Sequence, residues 1–261
     1  MEIIPSKSTT ALERPKPKIN WKYQFQQYGT VLAMAAFLFF ILSAYVFYRR
    51  GYYDLYIANK AFAGTATALL GIVLLIGSLS RLFSFPDRYV QYRKELGIVA
   101  FFLTLVHGVV SFFFLSPNFS LSGFLERIDW PIIFGLTATI VLFAIFLISN
   151  DRAMIGLGRE RWWRLQYWGI RITFILVFLH VFVMKWSGWV KWYKVGGDND
   201  LVRPEWPGAG ILIGWFMIFV VLVRLAEFIS PKLGRGIWYV SIIVLPIIYI
   251  ATFWWGQQFI K

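Results

Sequence analysis

The chain has 261 residues, of which 59% are hydrophobic, 20% are aromatic and only 15% are charged, with a formal net charge of +13. A soluble domain needs more polar residues to cover its surface, so this composition predicts that most of the chain lies in a lipid bilayer. Cysteine is absent from the sequence, which excludes disulfides, thiolate metal sites, iron–sulfur clusters and covalently attached c-type heme.

Apolar segments of about 20 residues recur along the chain, and each is long enough to cross a hydrocarbon layer about 30 Å thick as a helix. Most connections are short, so we expect one bundle of antiparallel neighbours. The seventh segment contains Pro246, which is expected to break it. Residues 1–28 are polar and basic, and we expect them to form a cytoplasmic arm. The predicted spans are 29–48, 61–83, 96–115, 130–149, 167–187, 208–229 and 236–256.

The distribution of positive charge predicts the orientation of the bundle. Most of the 26 lysines and arginines lie in or beside segments on the same side as the N-terminus, and positive charge is retained on the cytoplasmic side. We therefore expect a multi-pass protein of the inner (cytoplasmic) membrane with its N-terminus in the cytoplasm. The net charge then reflects topology and attraction to anionic lipid. Nucleic-acid binding is not expected, because the basic residues are scattered between the spans.

The longest connection between spans, residues 188–207, combines tryptophans, a Gly-Gly-Asp-Asn-Asp turn and two prolines. Trp186, Trp189 and Trp192 recur every third residue where the fifth span leaves the membrane. This pattern is typical of an aromatic anchor at the membrane interface. The alternative is a lid over a buried cofactor or a docking surface for an outer partner.

The only histidines, His107 and His180, each lie inside an apolar span. Ionisable groups are costly in lipid and are usually functional there. The third and fifth spans are parallel, and at a rise of about 1.5 Å per residue the two imidazoles differ in depth by about 3 Å. The two rings could hold one heme iron between them, and the alternative is a pair of interhelical hydrogen bonds. A metal other than heme would need further ligands, which the sequence does not offer at that depth.

Three stretches of the sequence contain the motifs of a known family: SRLFSFPDRYVQYRKELGIVAFFLTLVHG, LGRERWWRLQYWGIRITFILVFLH and GWFMIFVVLVRLAEF. Together they resemble the ferric reductase-like transmembrane domain and, within it, the bacterial MsrQ (YedZ) heme-binding membrane subunits. The resemblance covers residues 29–229, and the last span, in residues 230–261, lies outside it. It implies an all-α integral membrane protein with a six-helix ferric reductase-like bundle and an additional seventh C-terminal helix.

The resemblance implies one b-type heme with His107 and His180 as its axial ligands. Family members with two hemes carry a second histidine about 13 or 14 residues before each of these positions. Here Gln166 stands 14 residues before His180, while Lys94 and Arg93 stand 13 and 14 residues before His107. Only the outer pair of ligands is therefore retained. The heme propionates need cationic partners at the outer surface, and the candidates are Arg49, Arg50, Lys60, Lys185 and Lys191.

The same resemblance implies an oxidoreductase subunit that transfers electrons across the membrane. The donor would be a cytoplasmic flavin reductase or quinol, and the acceptor an extracytoplasmic redox protein or metal chelate. Related one-heme proteins hold a flavin at the inner level, so FMN or FAD is a second candidate cofactor. The alternative is a structural or assembly subunit that keeps the fold without redox activity. Candidate flavin residues are Gln166, Trp163, Arg93, Arg161 and Arg164, with Arg81, Arg88, Tyr167 and Trp168 nearby.

Overall fold

The structure is a computed structural model that describes residues 21–83, 87–115, 126, 130–198 and 200–260. Within these ranges the chain is helical and forms no strand. A 3₁₀ helix, Asp87–Tyr92, leads into the third long helix. The helices are α1 (Trp21–Arg50), α2 (Leu55–Leu82), α3 (Arg93–Phe113), α4 (Trp130–Leu147), α5 (Asp151–Leu157), α6 (Arg159–Val195), α7 (Ala209–Ile229) and α8 (Pro231–Gln257).

Seven of these helices are long and apolar enough to cross a membrane, and among the described helices only α5 is too short. The predicted fold class is therefore confirmed: the chain is an all-α integral membrane protein with a seventh span at its C-terminal end. We call the end of the bundle where α1 begins the near face and the opposite end the far face. Helices α3 and α6 both run from the near face to the far face, as the sequence predicts.

Several helices extend beyond the predicted spans. Helix α1 begins at Trp21, so residues 21–28 are helical and not part of the predicted arm, whose first 20 residues lie outside the described ranges. Helix α6 runs eight residues past the predicted span at each end. These extensions are rich in aromatic residues and in Arg, Lys and Gln. The long polar side chains form helices well, but they lower the mean hydropathy below that of a span. Helix α8 continues through Pro246 without the predicted break.

Short polar residues determine where several helices begin. Each accepts a hydrogen bond from a backbone N–H of the first helical turn, which would otherwise have no partner inside the helix. These caps are Asp54 for α2, Asn150 for α5 and Ser230 for α8. Gly158 separates α5 from α6 at φ 78°, a left-handed conformation that favours glycine.

Helix α2 occupies the centre of the bundle and packs against α1, α3, α6 and α7. Leu69 and Leu70 on this helix are fully buried. A Cβ added at Gly71 would lie 2.4 Å from the ring of Phe216, so α2 and α7 approach as closely as only glycine allows. Helix α4 packs along α6, and α8 packs along α7 at the edge of the bundle.

A buried carboxylate on α7 connects three helices at the near face. Glu227 accepts hydrogen bonds from Ser78 at 2.7 Å and from Arg224 at 2.6 Å, and it pairs with Arg81 at 2.9 Å. Trp238 on α8 donates to the hydroxyl of Ser78 at 3.4 Å. Because the side chain of Glu227 is buried, its carboxylate depends on Ser78 and the two guanidinium groups for solvation.

Replacing Glu227 with alanine is expected to lower the free energy of unfolding by about 3 kcal/mol, because it leaves two arginines partly buried without their counterion. The matched control is Glu160→Ala, which removes an exposed carboxylate 2.6 Å from Arg164. That change is expected to cost less than about 0.5 kcal/mol. Thermal unfolding of both variants in detergent measures the difference, and equal melting temperatures would contradict a stabilising role for Glu227.

Candidate functional site

His107, on α3, is oriented by a polar chain that starts on α2. Its Nδ1 lies 3.0 Å from Oδ1 of Asn59, and Nδ2 of Asn59 donates to the hydroxyl of Ser111 at 2.7 Å. The amide oxygen can only accept, so Nδ1 of the histidine carries the hydrogen. Nε2 is then the unprotonated nitrogen, whose lone pair can bind a metal.

His180, on α6, is oriented in the same way by the first turn of α4. Its Nδ1 lies 2.7 Å from the backbone oxygen of Pro131, which can only accept, so this Nδ1 also carries the hydrogen. A Cβ added at Gly135 would lie 2.9 Å from Nδ1 of His180. The absence of a side chain at this position therefore lets α4 approach the ring. Nε2 of His180 is again the nitrogen suited to a metal.

The two imidazoles interact electrostatically, although their helices make hardly any close backbone contact with each other in the described part of the chain. Helix α4 packs against both α3 and α6, and a Cβ added at Gly108, beside His107, would meet nothing within 4 Å. Two imidazoles from separate helices fit the axial positions of an iron whose other four ligands are porphyrin nitrogens.

No group of three or more His, Cys, Asp or Glu side chains that could hold a metal ion occurs among the described residues. Two imidazoles alone do not make a stable site for a bare divalent ion, which needs about four to six ligands. The donor set of His107 and His180 therefore fits heme better than a metal bound only by side chains.

Three cations lie together toward the far face. Lys60, Lys185 and Arg50 interact electrostatically with one another, and Lys185 also interacts with His107. The ammonium group of Lys60 lies 3.8 Å from the ring centroid of Tyr56. Because like charges at close range repel, this cluster has the chemistry of a site for an anionic group beside the histidines.

Two other candidates for the propionates have different partners. Nε of Arg49 donates to the backbone oxygen of Trp206 at 2.8 Å, so this side chain holds the loop between α6 and α7. Lys191 pairs with Asp198 at 2.6 Å, and this hydrogen bond and charge hold the pKa of Asp198 below its usual value. Of the five predicted cations, Lys60, Lys185, Arg50 and Arg49 thus interact with one another, and Lys185 connects this group to His107.

The far-face loop that follows α6 is closely attached to the bundle. Trp192 is buried, and its indole N–H donates to the backbone oxygen of Pro204 at 3.2 Å. The phenol of Tyr45 on α1 donates to the backbone oxygen of Pro207 at 2.5 Å. Gly256 on α8 lies so close to the backbone oxygen of Glu205 that a Cβ at this position would clash with it. These contacts fasten the loop to the ends of α1, α6 and α8.

A cavity of about 240 Å³ lies at the near face, where the sequence predicts the inner level. Nε2 of Gln166 donates to the hydroxyl of Ser149 at 3.0 Å and points toward the backbone oxygen of Ile145 at 3.3 Å. The predicted residues Gln166, Trp163 and Arg93 all line this cavity, so the structure brings these three together. Tyr167 and Trp162 complete its aromatic wall.

Arg93 is a largely buried cation on the wall of this cavity. Its guanidinium lies 3.2 to 3.4 Å from a Cβ added at Gly77, which places it against α2. Its Nε is buried and has no hydrogen-bond partner. The nearby charges that act on it are those of Arg81 and Arg224. Positive charge therefore exceeds negative charge on this side of the cavity.

The remaining candidates with described side chains do not line the cavity. Arg161 is exposed, and Arg164 is exposed and paired with Glu160 at 2.6 Å. Trp168 is exposed. Arg81 donates to the phenol oxygen of Tyr167 at 3.2 Å and pairs with Glu227. The side chain of Arg88 lies outside the described part of the chain.

Sequence reasoning missed the residues that orient the histidines. Asn59 had a weak signal, because an uncharged amide stands two residues before the predicted second span, but only the structure shows that it lies at the depth of His107. Pro131 acts through its backbone oxygen and Gly135 through its lack of a side chain, so neither has a signal in a single sequence. All three depend on how the helices are rotated against one another.

The model of the ferric reductase like transmembrane component family matches residues 61–170. Comparison with curated proteins gives no significant match. The matched range runs from α2 into α6 and includes His107 and Gln166. The fold defines a multi-span membrane protein. Residues 61–170 are similar to the ferric reductase like transmembrane component, and this match suggests transmembrane electron transfer.

Replacing Asn59 with leucine is expected to weaken heme binding about tenfold or more, because the Nδ1–H of His107 loses its acceptor and the ring loses its fixed orientation. Heme retained per chain, measured after purification, tests this expectation. Asn150→Leu is the matched control, since Asn150 caps α5 at the near face and its loss is expected to leave heme content unchanged. Equal heme content in the two variants would show that Asn59 does not orient a ligand.

Proposed function

We propose that the chain transfers electrons across the inner membrane through a single b-type heme held between His107 and His180, with the near face in the cytoplasm. The observation that carries this proposal is that both imidazoles donate their Nδ1–H to acceptors on other helices, so that both present Nε2 as a ligand. A heme with two imidazole ligands supplies a one-electron carrier whose iron does not bind oxygen or substrate directly. The chain itself orients the ligands and excludes water.

The far-face cations neutralise the heme propionates in this proposal. Lys60, Lys185 and Arg50 lie close to one another and toward the end at which the histidines stand. Their mutual repulsion is relieved when carboxylates lie between them. Arg49 interacts with Lys60 of this cluster. It also donates to the backbone oxygen of Trp206, so it both adds positive charge and positions the far-face loop.

The near-face cavity takes the electron donor. Its volume of about 240 Å³ is below the roughly 300–1,000 Å³ of pockets that enclose whole ligands, so it accommodates a ring and not a dinucleotide. Gln166 offers an amide to the edge of the ring, Trp163 offers a stacking surface and Arg93 offers positive charge. Reduced FMN from a cytoplasmic flavin reductase fits these features, with Arg161 and Arg164 available to its phosphate beyond the cavity. A quinol head group is the second candidate.

The family match and the resemblance of the three sequence motifs to MsrQ subunits support this direction of transfer. The acceptor is then an extracytoplasmic redox protein or metal chelate, and the chain is the membrane subunit of an oxidoreductase. The competing function is a structural or assembly subunit in which the histidines serve only as hydrogen-bond donors. The two functions differ in whether the purified protein contains heme.

His107→Ala and His180→Ala are each expected to abolish stable heme binding, because one imidazole cannot keep the iron six-coordinate and low-spin. Gln166→Ala is the control and is expected to retain its heme, since Gln166 lines the near-face cavity. Heme content and the reduced absorbance bands of the three purified variants give the answer. Full retention of heme in either histidine variant would remove that residue from the ligand set.

Lys185→Gln is expected to lower the midpoint potential of the heme by tens of millivolts without removing it, because a nearby positive charge favours the reduced, less positive iron. Lys191→Gln is the matched control, since Lys191 is paired with Asp198. The heme of this variant is expected to have the same midpoint potential as that of the unmodified protein. A redox titration monitored by absorbance compares them. A potential in Lys185→Gln equal to the control would mean that Lys185 does not face the propionates.

FMN is expected to bind the near-face cavity and to saturate in the micromolar range or below, and Arg93→Gln is expected to weaken that binding about tenfold by removing a charge-assisted contact. Quenching of flavin fluorescence measures both affinities. Arg152→Gln removes a basic residue of the same face that does not line the cavity, and it is expected to change little. If FMN neither binds nor reduces the heme while a quinol reduces it rapidly, the cavity is a quinol site.

A further inference from the structure

A second cavity, which we call the α8 groove, lies toward the far face between α6, α7 and α8. It has a volume of about 310 Å³ and is shallow and open to one side. None of its lining residues falls in the range that matches the family model, and the groove exists only because α8 packs beside α7. Its lining residues are Tyr193, Trp215, Ile248, Ala251, Thr252 and Trp255.

Two hydrogen-bond donors in this groove, the indole N–H of Trp215 and the phenol O–H of Tyr193, form only long hydrogen bonds within the protein. Nε1 of Trp215 lies 3.4 Å from the phenol oxygen of Tyr193, which lies 3.4 Å from the hydroxyl of Thr252. Both distances exceed the roughly 2.7–3.2 Å of well-formed hydrogen bonds. The hydroxyl of Thr252 already donates to the backbone oxygen of Ile248 at 2.7 Å. The indole N–H and the phenol O–H therefore have capacity left for an acceptor.

The rest of the groove is aromatic and apolar. Trp255 donates its indole N–H to the backbone oxygen of Tyr193 at 3.0 Å, which fixes its ring as a wall. Ile248 and Ala251 contribute apolar surface from α8. The described lining contains no Asp, Glu, Lys or Arg, so it has no charge to offer a phosphate or carboxylate.

The position of the groove indicates where its ligand comes from. Ala251 and Trp255 are exposed on the outer side of α8, which in a spanning helix faces the bilayer. Trp215 lies six residues into α7, about 9 Å below the far-face end of that helix. A molecule dissolved in the membrane can therefore enter from the side, with its polar end toward the far face.

We propose that the α8 groove binds the head group of an isoprenoid quinone. The flat, neutral ring lies against the aromatic walls, one ring carbonyl oxygen accepts from Trp215 and Tyr193, and the apolar tail extends into the bilayer. A phospholipid is less suited to the groove. Its acyl chain has no acceptor for the two N–H and O–H donors, and its charged head group needs oppositely charged side chains, which the described lining lacks. This inference does not depend on the bound heme of the proposed function.

The test uses the full chain in lipid nanodiscs and decylubiquinone as the probe, with calorimetric titration giving the affinity and the number of sites. Saturable binding is expected. Ala251→Phe fills the groove from an exposed position and is expected to remove one site. Trp215→Phe keeps the aromatic ring but loses the N–H, and it is expected to weaken this site about fivefold. Ile243→Phe adds the same ring elsewhere on the exposed surface of α8 and is expected to bind as the unmodified chain does.

Three results would overturn the proposal. The first is unchanged affinity and stoichiometry in both Ala251→Phe and Trp215→Phe. The second is loss of the quinone site in Arg93→Gln alone, which would locate it in the near-face cavity. The third is displacement of the quinone by a linear alkyl compound without a ring, added at equal concentration, which would show an acyl-chain groove. The heme content of Ala251→Phe is measured in parallel and is expected to equal that of the unmodified chain. A change in quinone binding with normal heme content is then independent of the proposed heme site.

Discussion

A bilayer offers no water to an imidazole, so each histidine N–H inside the bundle needs a protein acceptor. Asn59 supplies it for His107, and the backbone oxygen of Pro131 supplies it for His180. Both acceptors bind the hydrogen on Nδ1. In each ring Nε2 is therefore the unprotonated nitrogen, which is the one suited to a metal. Helices α2 and α4 carry these acceptors, so the packing of α2 against α3 and of α4 against α6 fixes the orientation of both rings.

The charges at the two ends of the bundle differ in how they are balanced. At the near face, Glu227 pairs with both Arg81 and Arg224, while Arg93 pairs with no carboxylate among the described residues and lies on a cavity wall. At the far face, Lys60 and Lys185 lie close together beside the histidines. Clustered cations favour anionic ligands. In the proposed function the near face therefore takes a reduced flavin, and the far face holds the heme propionates.

Hydropathy was sufficient to predict the seven spans, because a lipid-crossing helix must be apolar over its whole length. It failed at the ends of α1 and α6, where residues 21–28 and 188–195 are helical but too polar to resemble a span. Both histidines were identifiable as ionisable groups in apolar segments, and Gln166, Trp163 and Arg93 meet at one cavity as expected. The roles of Pro131 and Gly135 could not be predicted, since they depend on helix rotation and on a backbone oxygen.

The most direct test of ligation by His107 and His180 is the absorbance spectrum of the purified full chain after expression with sufficient heme, together with its heme content per chain. Axial ligation by two imidazoles requires one heme per chain and a low-spin spectrum with sharp bands on reduction. Absence of heme would contradict the ligation and favour a structural subunit. A high-spin spectrum that changes when an external ligand is added would show that at least one of the two histidines does not bind the iron.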